Sequence, residues 1–278
     1  MTNWFITGTS SGFGRIMTET LLERGDKVFA TLRRPQALAP LAERFGDRLA
    51  VAALDVTDTQ AIRAVTDEAF ARLGRIDRLV SNAGVIVTGA AEELADAQIE
   101  QQIATNLVGS IQLVRAALPH LRAQGGGHII QLSSMGGHIA FPGFSVYHAT
   151  KFAIEGFYES LIPEIAPFGI SVTLVEPGCA DTEILGANLV YAPVLPCYSE
   201  TPAGDVRRLS EAGEFPMPGD ARRMVAQMIA AGDAAEPPKR LTLGSDAYAL
   251  IHAALSERLA ALEAQKDLAH STDYPAAG

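Results

Sequence analysis

The sequence predicts an α/β protein built on one doubly wound parallel sheet with helices on both faces. Short apolar, β-branched segments alternate with longer helical patterns along the chain, which is typical of parallel strands covered by helices. The chain has 278 residues, 48% of them hydrophobic, which is enough for one large core. It shows no internal repeat and no low-complexity linker. We therefore expect residues 1–278 to form a single domain.

Each element follows from its local pattern. Seven strands are predicted at residues 4–7, 27–32, 49–56, 78–84, 128–134, 170–178 and 239–244. Helices are predicted at residues 14–25, 35–45, 59–73, 96–121 and 222–231, in a segment that begins near Tyr147, and at residues 246–266. Gly109 and Ser110 predict a bend in the long helix. Pro163 removes a backbone donor and predicts that its helix bends or ends there.

The segment 179–218 is predicted to be irregular and is too long for a simple connection. Loops of this length are usually functional, so we interpret residues 183–218 as a lid over a substrate cleft. Asp181 and Glu183, near its start, are interpreted as loop charges rather than an acid/base pair. Residues 246–278 form a C-terminal helix and a polar tail.

Charge and composition exclude several classes of function. The formal charge of −10 argues against a nucleic-acid or anionic-membrane partner, because both require a basic surface. No signal peptide and no membrane-length apolar run is evident. Cys179 and Cys197 are expected to be free thiols in a reducing cytoplasm. No His, Cys or Asp spacing indicates a metal site.

A glycine-rich loop, TGTSSGFG at residues 7–14, lies between the first strand and the first helix. Gly8, Gly12 and Gly14 let the backbone turn tightly and approach a ligand, and the helix N-terminus attracts anions. This position favours a dinucleotide site over a turn that only packs strand against helix, although the spacing differs from the commoner G-x-G-x-x-G.

The end of the second strand indicates which dinucleotide binds. An acidic residue there would bind a ribose hydroxyl and favour NAD(H), but Leu32 stands near that position and Arg33 and Arg34 follow. Two guanidinium groups suit a 2′-phosphate, so NADP(H) is favoured over NAD(H). The alternative is that one or both arginines are solvated surface charges.

Six further motifs occur in the same order as in one known family. They are LDVTD (54–58), SNAG (81–84), TN (105–106), LSS (132–134), YHATK (147–151) and EPG (176–178) followed by Thr182. With the glycine loop, they make the chain resemble the short-chain dehydrogenase/reductase family. The resemblance implies a Rossmann-like domain with strand order 3-2-1-4-5-6-7, an NADP(H)-dependent oxidoreductase acting on a carbonyl or secondary alcohol, and a homodimer or homotetramer.

The resemblance also assigns residues to roles. The implied catalytic residues are Asn106, Ser134, Tyr147 and Lys151. The implied cofactor-binding residues are Gly8, Ser10, Ser11, Gly12, Phe13, Gly14, Arg33, Arg34, Asp55, Val56, Asn82, Ala83, Gly84, Tyr147, Lys151, Pro177, Gly178 and Thr182. Asp55 is expected at the adenine, the turn 82–84 at the adenosine ribose, and Thr182 with the backbone after Gly178 at the nicotinamide carboxamide.

Tyr147 and Lys151 lie four residues apart and therefore on one face of their helix. A phenol ordinarily titrates near pH 10, and a nearby ammonium would lower its pKa. We therefore expect Tyr147 to exchange the proton, Ser134 to bind the substrate oxygen, and Lys151 to lower the tyrosine pKa and bind ribose. Taken alone, the pair would fit an amphipathic surface helix better than a catalytic site, and Ser134 with the glycine loop reverses this preference.

The substrate is less well indicated. His138, Leu189 and Tyr191 are candidate substrate contacts, and the apolar lid favours a lipophilic or aromatic carbonyl compound. His148 follows Tyr147 and is interpreted as structural. Two other functions remain open on the same fold: an isomerase or dehydratase that reuses the tyrosine, and a non-catalytic NADP(H) sensor.

Overall fold

The structure is a computed structural model that describes residues 1–186 and 188–274. Ala187 of the predicted lid and residues 275–278 of the predicted tail lie outside the described residues. The strands are β1 (Asn3–Thr7), β2 (Lys27–Leu32), β3 (Leu49–Ala53), β4 (Arg78–Ser81), β5 (Val87–Thr88), β6 (Gly127–Leu132), β7 (Ile170–Pro177), β8 (Val190–Tyr191) and β9 (Arg240–Leu243).

Seven of these strands form one parallel sheet in the order β3-β2-β1-β4-β6-β7-β9. When these seven are numbered along the chain, the order is 3-2-1-4-5-6-7, as predicted. The chain order reverses between β1 and β4, and ligands of such sheets bind at the carboxyl ends of the strands beside this point.

Helices cover both faces of the sheet. They are α1 (Gly12–Arg24), α2 (Ala39–Phe45), α3 (Thr59–Leu73), α4 (Asp96–Ile103), α5 (Gly109–Ala123), α6 (Ser145–Ile165), α7 (Pro202–Glu211), α8 (Ala221–Asp233), α9 (Ser245–Glu263) and α10 (Lys266–His270). Successive side chains of a strand point to opposite faces. Trp4 accordingly packs in one core with Met228 of α8, whereas Phe5 packs in the other with Leu113 of α5. The predicted α/β fold is thus confirmed.

The α6 helix does not end at Pro163 but two residues later, at Ile165; the alternative, a bend at the proline, stays a prediction. The helix continues to Ile165 because Leu161 and Ile165 are buried on its inner face, whereas Pro163 faces solvent. Water can therefore satisfy the carbonyl group that the proline leaves without a partner.

The segment 183–218 is less irregular than predicted. It contains α7 and the short strand β8, which pairs in parallel with β5 through Val87–Val190 and Thr88–Tyr191. Such short strands are too brief to show a periodic pattern, and their pairing joins segments about a hundred residues apart. A second attachment is the buried ion pair between Arg207 of α7 and Glu93.

Candidate active site

One cavity of about 850 Å³ opens at the carboxyl edge of the sheet. It extends from the glycine loop and the end of β2 to the lid segment 183–218. Every predicted catalytic residue lines it, and so do the predicted cofactor residues apart from Gly14. The candidate substrate residue Leu189 lines it as well.

The glycine loop is held against the end of β4. The Asn82 side chain donates hydrogen bonds to the carbonyl oxygens of Thr7 (2.8 Å) and Gly8 (3.0 Å). Gly8 has a φ of 71°, and a Cβ added to it would lie 2.8 Å from Ala83 Cα. A Cβ added to Gly14 would lie 2.5 Å from Asn82 Nδ2. Side chains at these positions would thus break the packing that places the loop and the α1 N-terminus at the cavity.

Charged side chains lie at the far end of the same cavity. Arg33 and Arg34 are exposed on its lining just after β2, and Asp55 lies opposite them after β3. The Thr57 backbone N–H lowers the pKa of Asp55, and the Thr57 hydroxyl and Arg33 add to this, against partial burial. The glycine cradle and the two guanidinium groups fit a dinucleotide that carries an additional phosphate.

The predicted catalytic side chains share one wall near the middle of the cavity. Ser134 follows β6, while Tyr147 and Lys151 lie one turn apart at the start of α6. Lys151 Nζ lies 5.7 Å from the Tyr147 ring centroid and donates a hydrogen bond to the Leu132 carbonyl (2.9 Å). Ser134 lies close enough to Tyr147 to lower the pKa of the phenol. The wall therefore presents two hydroxyl groups and one ammonium group to a ligand.

Comparison with known proteins identifies the family in which these side chains and this fold occur together. The sequence profile of the short chain dehydrogenases matches residues 2–189. The chain belongs to this family. The predicted resemblance is confirmed, and the protein is an oxidoreductase of the short-chain dehydrogenase type.

Three relatives show how far the similarity extends. A short-chain dehydrogenase from Streptomyces avermitilis has a TM-score of 0.90 at 38% identity, with 98% of this chain and 100% of that chain covered. An oxidoreductase of Botryotinia fuckeliana, BOA17, is 38% identical over 88% of this chain and 89% of its own length. The closed form of a serine dehydrogenase complexed with NADP+ has a TM-score of 0.74 at 27% identity, covering 87% and 94% of the two chains.

The pKa of Tyr147 in this short-chain dehydrogenase is set mainly by its burial. Burial raises the pKa of Tyr147 to about 12; the nearby Ser134 hydroxyl lowers it and nearby Cys179 raises it further. In the protein without a cofactor, Lys151 is not among the groups that shift this pKa, and its ammonium group donates to the Leu132 carbonyl. The expected lowering by Lys151 stays a prediction. Burial also lowers the pKa of Lys151 to about 8, against the opposing effect of Glu155.

Asn106 lies in an irregular turn of the long helix. A π-helical turn, Ala104–Val108, separates α4 from α5 directly before Gly109, close to the predicted bend. The Asn106 amide both accepts from the Val85 N–H and donates to the Val85 carbonyl, each at 2.8 Å. Such turns are frequent at functional sites, and here the turn places the amide on the cavity wall.

Two of the three candidate substrate residues do not line the cavity. His138 turns away from the cavity, and its Nε2 lies 2.9 Å from Glu176 Oε1. Tyr191 is also absent from the lining, because in β8 its neighbour Val190 faces the cavity instead. Leu189 lies where it was predicted. His148 also lines the cavity, although it was expected to point away from it, and its ring is held by the Phe141 N–H and lies 3.0 Å from the Gly136 carbonyl.

His138 belongs to a buried charge cluster. Within the described residues, one group has the spacing of metal ligands: His138, Glu155 and Glu176. Arg240 of β9 lies among them, 2.9 Å from both carboxylates. A guanidinium group thus already neutralises the carboxylates, and this cluster is an ion-pair network.

The end of the cavity beside segment 183–218 is apolar. Its lining includes Phe141, Phe144, Ile184, Leu185, Leu189, Val190 and Phe215. Among the described lining residues, the formally charged side chains are Arg33, Arg34, Asp55 and Lys151. Three of these lie at the opposite end, so Lys151 alone places a charge near the apolar part.

Two contacts at the site were not predicted. Asp246, near the start of α9, accepts a hydrogen bond from the Cys179 N–H (2.8 Å) and so holds the backbone after Gly178. Glu183, interpreted as a loop charge, accepts from the Gly12 N–H (2.9 Å). Both contacts join residues far apart in the chain, and no local pattern in the sequence reports them.

Proposed function

We propose that this protein is an NADP(H)-dependent reductase that converts a lipophilic carbonyl compound into the corresponding hydroxyl compound and can catalyse the reverse oxidation. The observation that carries the proposal is the shared cavity. Ser134, Tyr147 and Lys151 lie on its wall between a glycine cradle and an apolar chamber. A hydride donor and a carbonyl substrate can therefore meet beside a proton donor.

The choice of NADP(H) over NAD(H) is supported by charge. Arg33 and Arg34 both line the end of the cavity that follows β2 and can neutralise a 2′-phosphate. The relative complexed with NADP+ is consistent with the same cofactor class. Asp55, Val56 and the turn at residues 82–84 would hold the adenosine, while Thr182 and the backbone at residues 177–178 would hold the nicotinamide.

In the proposed reaction, bound NADPH supplies the hydride. Ser134 donates a hydrogen bond to the carbonyl oxygen and orients it, and Tyr147 transfers its phenolic proton to that oxygen as negative charge develops. With a pKa of about 12, Tyr147 is fully protonated at pH 7 and ready to act as the acid. Reduction is therefore the direction we propose at neutral pH.

Lys151 and Asn106 would restore the tyrosine proton. The Lys151 ammonium group can stabilise the phenolate formed during turnover, because it lies 5.7 Å from the ring centroid. Asn106 would hold a water molecule that connects Lys151 to solvent. The buried amide of Asn106 lies on the same cavity wall, which supports this role.

The substrate class is inferred from the apolar chamber. Phenylalanine and aliphatic side chains there can bury a ring or an alkyl chain, which favours binding by roughly 25 cal/mol per Å². A free carboxylate on the substrate would have Lys151 as its nearest cation and would compete with the phenol for it. We therefore propose uncharged ketones, aldehydes or quinones rather than amino acids.

A panel assay tests the function. Purified protein is mixed with NADPH and a series of aromatic and alkyl ketones, aldehydes and quinones, and oxidation is followed at 340 nm, with NADH in parallel. We expect turnover on apolar carbonyl compounds and a preference for NADPH. Tight NADPH binding without turnover of any carbonyl would favour the sensor function, and conversion of substrate without net NADPH oxidation would favour an isomerase or dehydratase.

Assembly and location remain proposals. Ile103, Val108 and Phe152 expose apolar side chains on α4, on the π turn and on α6, which suits a homodimer or homotetramer. Light scattering after gel filtration tests this. Cys179 and Cys197 are free thiols, consistent with the proposed cytoplasmic location. No helix among residues 1–186 and 188–274 has the length and apolar character needed to cross a membrane.

A further inference from the structure

The lid and the glycine loop are joined by two side-chain contacts. Glu183 Oε2 accepts a hydrogen bond from the backbone N–H of Gly12, the first residue of α1, at 2.9 Å. Asn188 Nδ2 donates to the Ser11 hydroxyl at 3.3 Å. Both lid residues belong to segment 183–218, and both contacts fall on the loop that would hold the cofactor diphosphate. The start of the lid is thus attached to the cofactor site itself.

The contact made by Glu183 is chemically unusual for a dinucleotide site. The first N–H groups of a helix have no partner within the helix and carry partial positive charge, so they bind anions. A diphosphate and a glutamate carboxylate are both anions, and they would compete for the Gly12 donor. If both were present, they would also repel each other across a few ångströms.

The surroundings of Glu183 offer no other cation. In the part of the chain that the structure describes, Glu183 forms no ion pair with a lysine or arginine side chain. Its charge is stabilised by the α1 N-terminus instead. Asp181, two residues earlier, is equally exposed, and no hydrogen bond of its side chain is found there.

We propose that Glu183 is a tethered competitor of the cofactor. Its carboxylate binds the Gly12 N–H in the cofactor-free protein and leaves when the diphosphate binds. This inference rests on the proposed dinucleotide function of the same site. Glu183 then lowers the affinity for the cofactor and links cofactor binding to the lid.

The link to the lid follows from the neighbouring residues. Ile184 and Leu185 line the substrate chamber and cluster with Phe144 and Leu189. Release of Glu183 therefore frees a segment that forms part of the substrate wall. Binding of the cofactor would make this wall adjustable before the substrate enters.

Calorimetric titration of wild type, Glu183→Gln and Asp181→Asn tests the competition. NADP+ is compared with 2′-AMP, which carries the 2′-phosphate but no diphosphate. We expect Glu183→Gln to tighten NADP+ binding about fivefold, the size expected for losing one exposed charge–helix contact, and to leave 2′-AMP unchanged. Asp181→Asn removes the same charge from the same loop and should change either Kd less than twofold.

Three outcomes would overturn the inference. Glu183→Gln could bind NADP+ with the wild-type Kd, it could bind NADP+ more weakly than wild type, or it could bind 2′-AMP more tightly by the same factor as NADP+. Equal tightening by Asp181→Asn would also overturn it, because the effect would then be long-range charge. If NADP+ binds neither wild type nor variants, the proposed function fails instead.

Hydrogen exchange gives a second readout that does not depend on affinity. We expect peptides covering residues 183–195 to exchange faster when NADP+ binds wild type, since the Glu183 contact is then broken. In Glu183→Ala, which has no side-chain acceptor for the Gly12 N–H, the same peptides should exchange fast without NADP+. Equal exchange of wild type and variant without NADP+ would contradict the coupling to the lid.

Discussion

The two ends of the cavity are held in different ways. At the cofactor end, the lining residues follow long parallel strands and are fixed by the backbone ladder of the main sheet. At the substrate end, the lid is attached through the two-residue pairing of β5 with β8, the ion pair of Arg207 with Glu93, and the contact of Glu183 with Gly12.

This difference separates the chemistry from the choice of substrate. The strands place the cofactor residues and Ser134 without any contribution from the lid. The lid contributes mainly apolar surface, and a few side-chain contacts hold it. Changes at the sheet end should therefore alter catalysis or cofactor binding. Changes at the lid should alter substrate binding, except at Glu183, which contacts the glycine loop.

The largest effect is expected at the sheet end. Replacing Tyr147 with phenylalanine removes the proton donor, and general acid catalysis contributes about 10²–10⁴-fold, so we expect kcat to fall about 10³-fold. The NADPH Kd should stay within about twofold, because the ring remains. Steady-state kinetics and fluorescence titration check this. Tyr158→Phe is the matched control: it removes a buried hydroxyl from the same helix, bonded to Gln131, away from the cavity. Residual turnover above a tenth of wild type would contradict the role of Tyr147.

At the lid end, Arg207→Ala should loosen the attachment. Arg207 and Glu93 are 8% and 6% exposed, and leaving a buried carboxylate without its partner costs about 3–5 kcal/mol. We expect faster hydrogen exchange over residues 190–198 and a substrate KM raised at least about tenfold, with the NADPH Kd unchanged. Arg208→Ala, an exposed neighbour, serves as the control. A parallel loss of NADPH affinity would show that the two ends are not separable.

Replacing the two arginines tests whether the cofactor end of the cavity selects NADP(H) over NAD(H). Arg33→Ser and Arg34→Ser each remove one guanidinium group from the same part of the lining. A hydrogen bond to a charged group contributes about 1.5–3 kcal/mol, so loss of the one that binds the 2′-phosphate should weaken NADP+ about 10–100-fold. NAD+ binding should not change. If both variants keep the wild-type preference for NADP+, the arginines are surface charges only.

The smallest effect concerns pH. Burial holds the pKa of Lys151 at about 8, so its charge is present below that pH and lost as pH rises through it. We expect kcat/KM for reduction to fall about tenfold per pH unit above this point. Tyr147, with a pKa of about 12, stays protonated and cannot cause the fall. Glu155→Gln removes the group that raises the Lys151 pKa and should move the midpoint lower. If kcat/KM stayed constant up to about pH 9.5, the role assigned to the Lys151 charge would be refuted.

Local patterns in the sequence predicted the sheet end well. The glycine loop, the Asn82 turn, Ser134 and the spacing of Tyr147 and Lys151 all lie within short motifs, and the structure brings them to one cavity. The roles assigned to these residues remain predictions. Two candidate substrate residues in less regular regions do not line the cavity. His138 pairs with Glu176 instead, and Tyr191 is absent from the cavity lining.

The sequence by itself determined the α/β order and the seven strands, because each depends on local periodicity. Its short motifs, through the family resemblance, also identified Ser134, Tyr147 and Lys151, which share one cavity wall. The tertiary structure alone decided the lid. Its strand pairing, the contacts of Asp246 with Cys179 and of Glu183 with Gly12, and the raised pKa of Tyr147 all depend on residues distant in the chain or on burial. Neither distance nor burial can be read from a local pattern, since both exist only after the chain has packed.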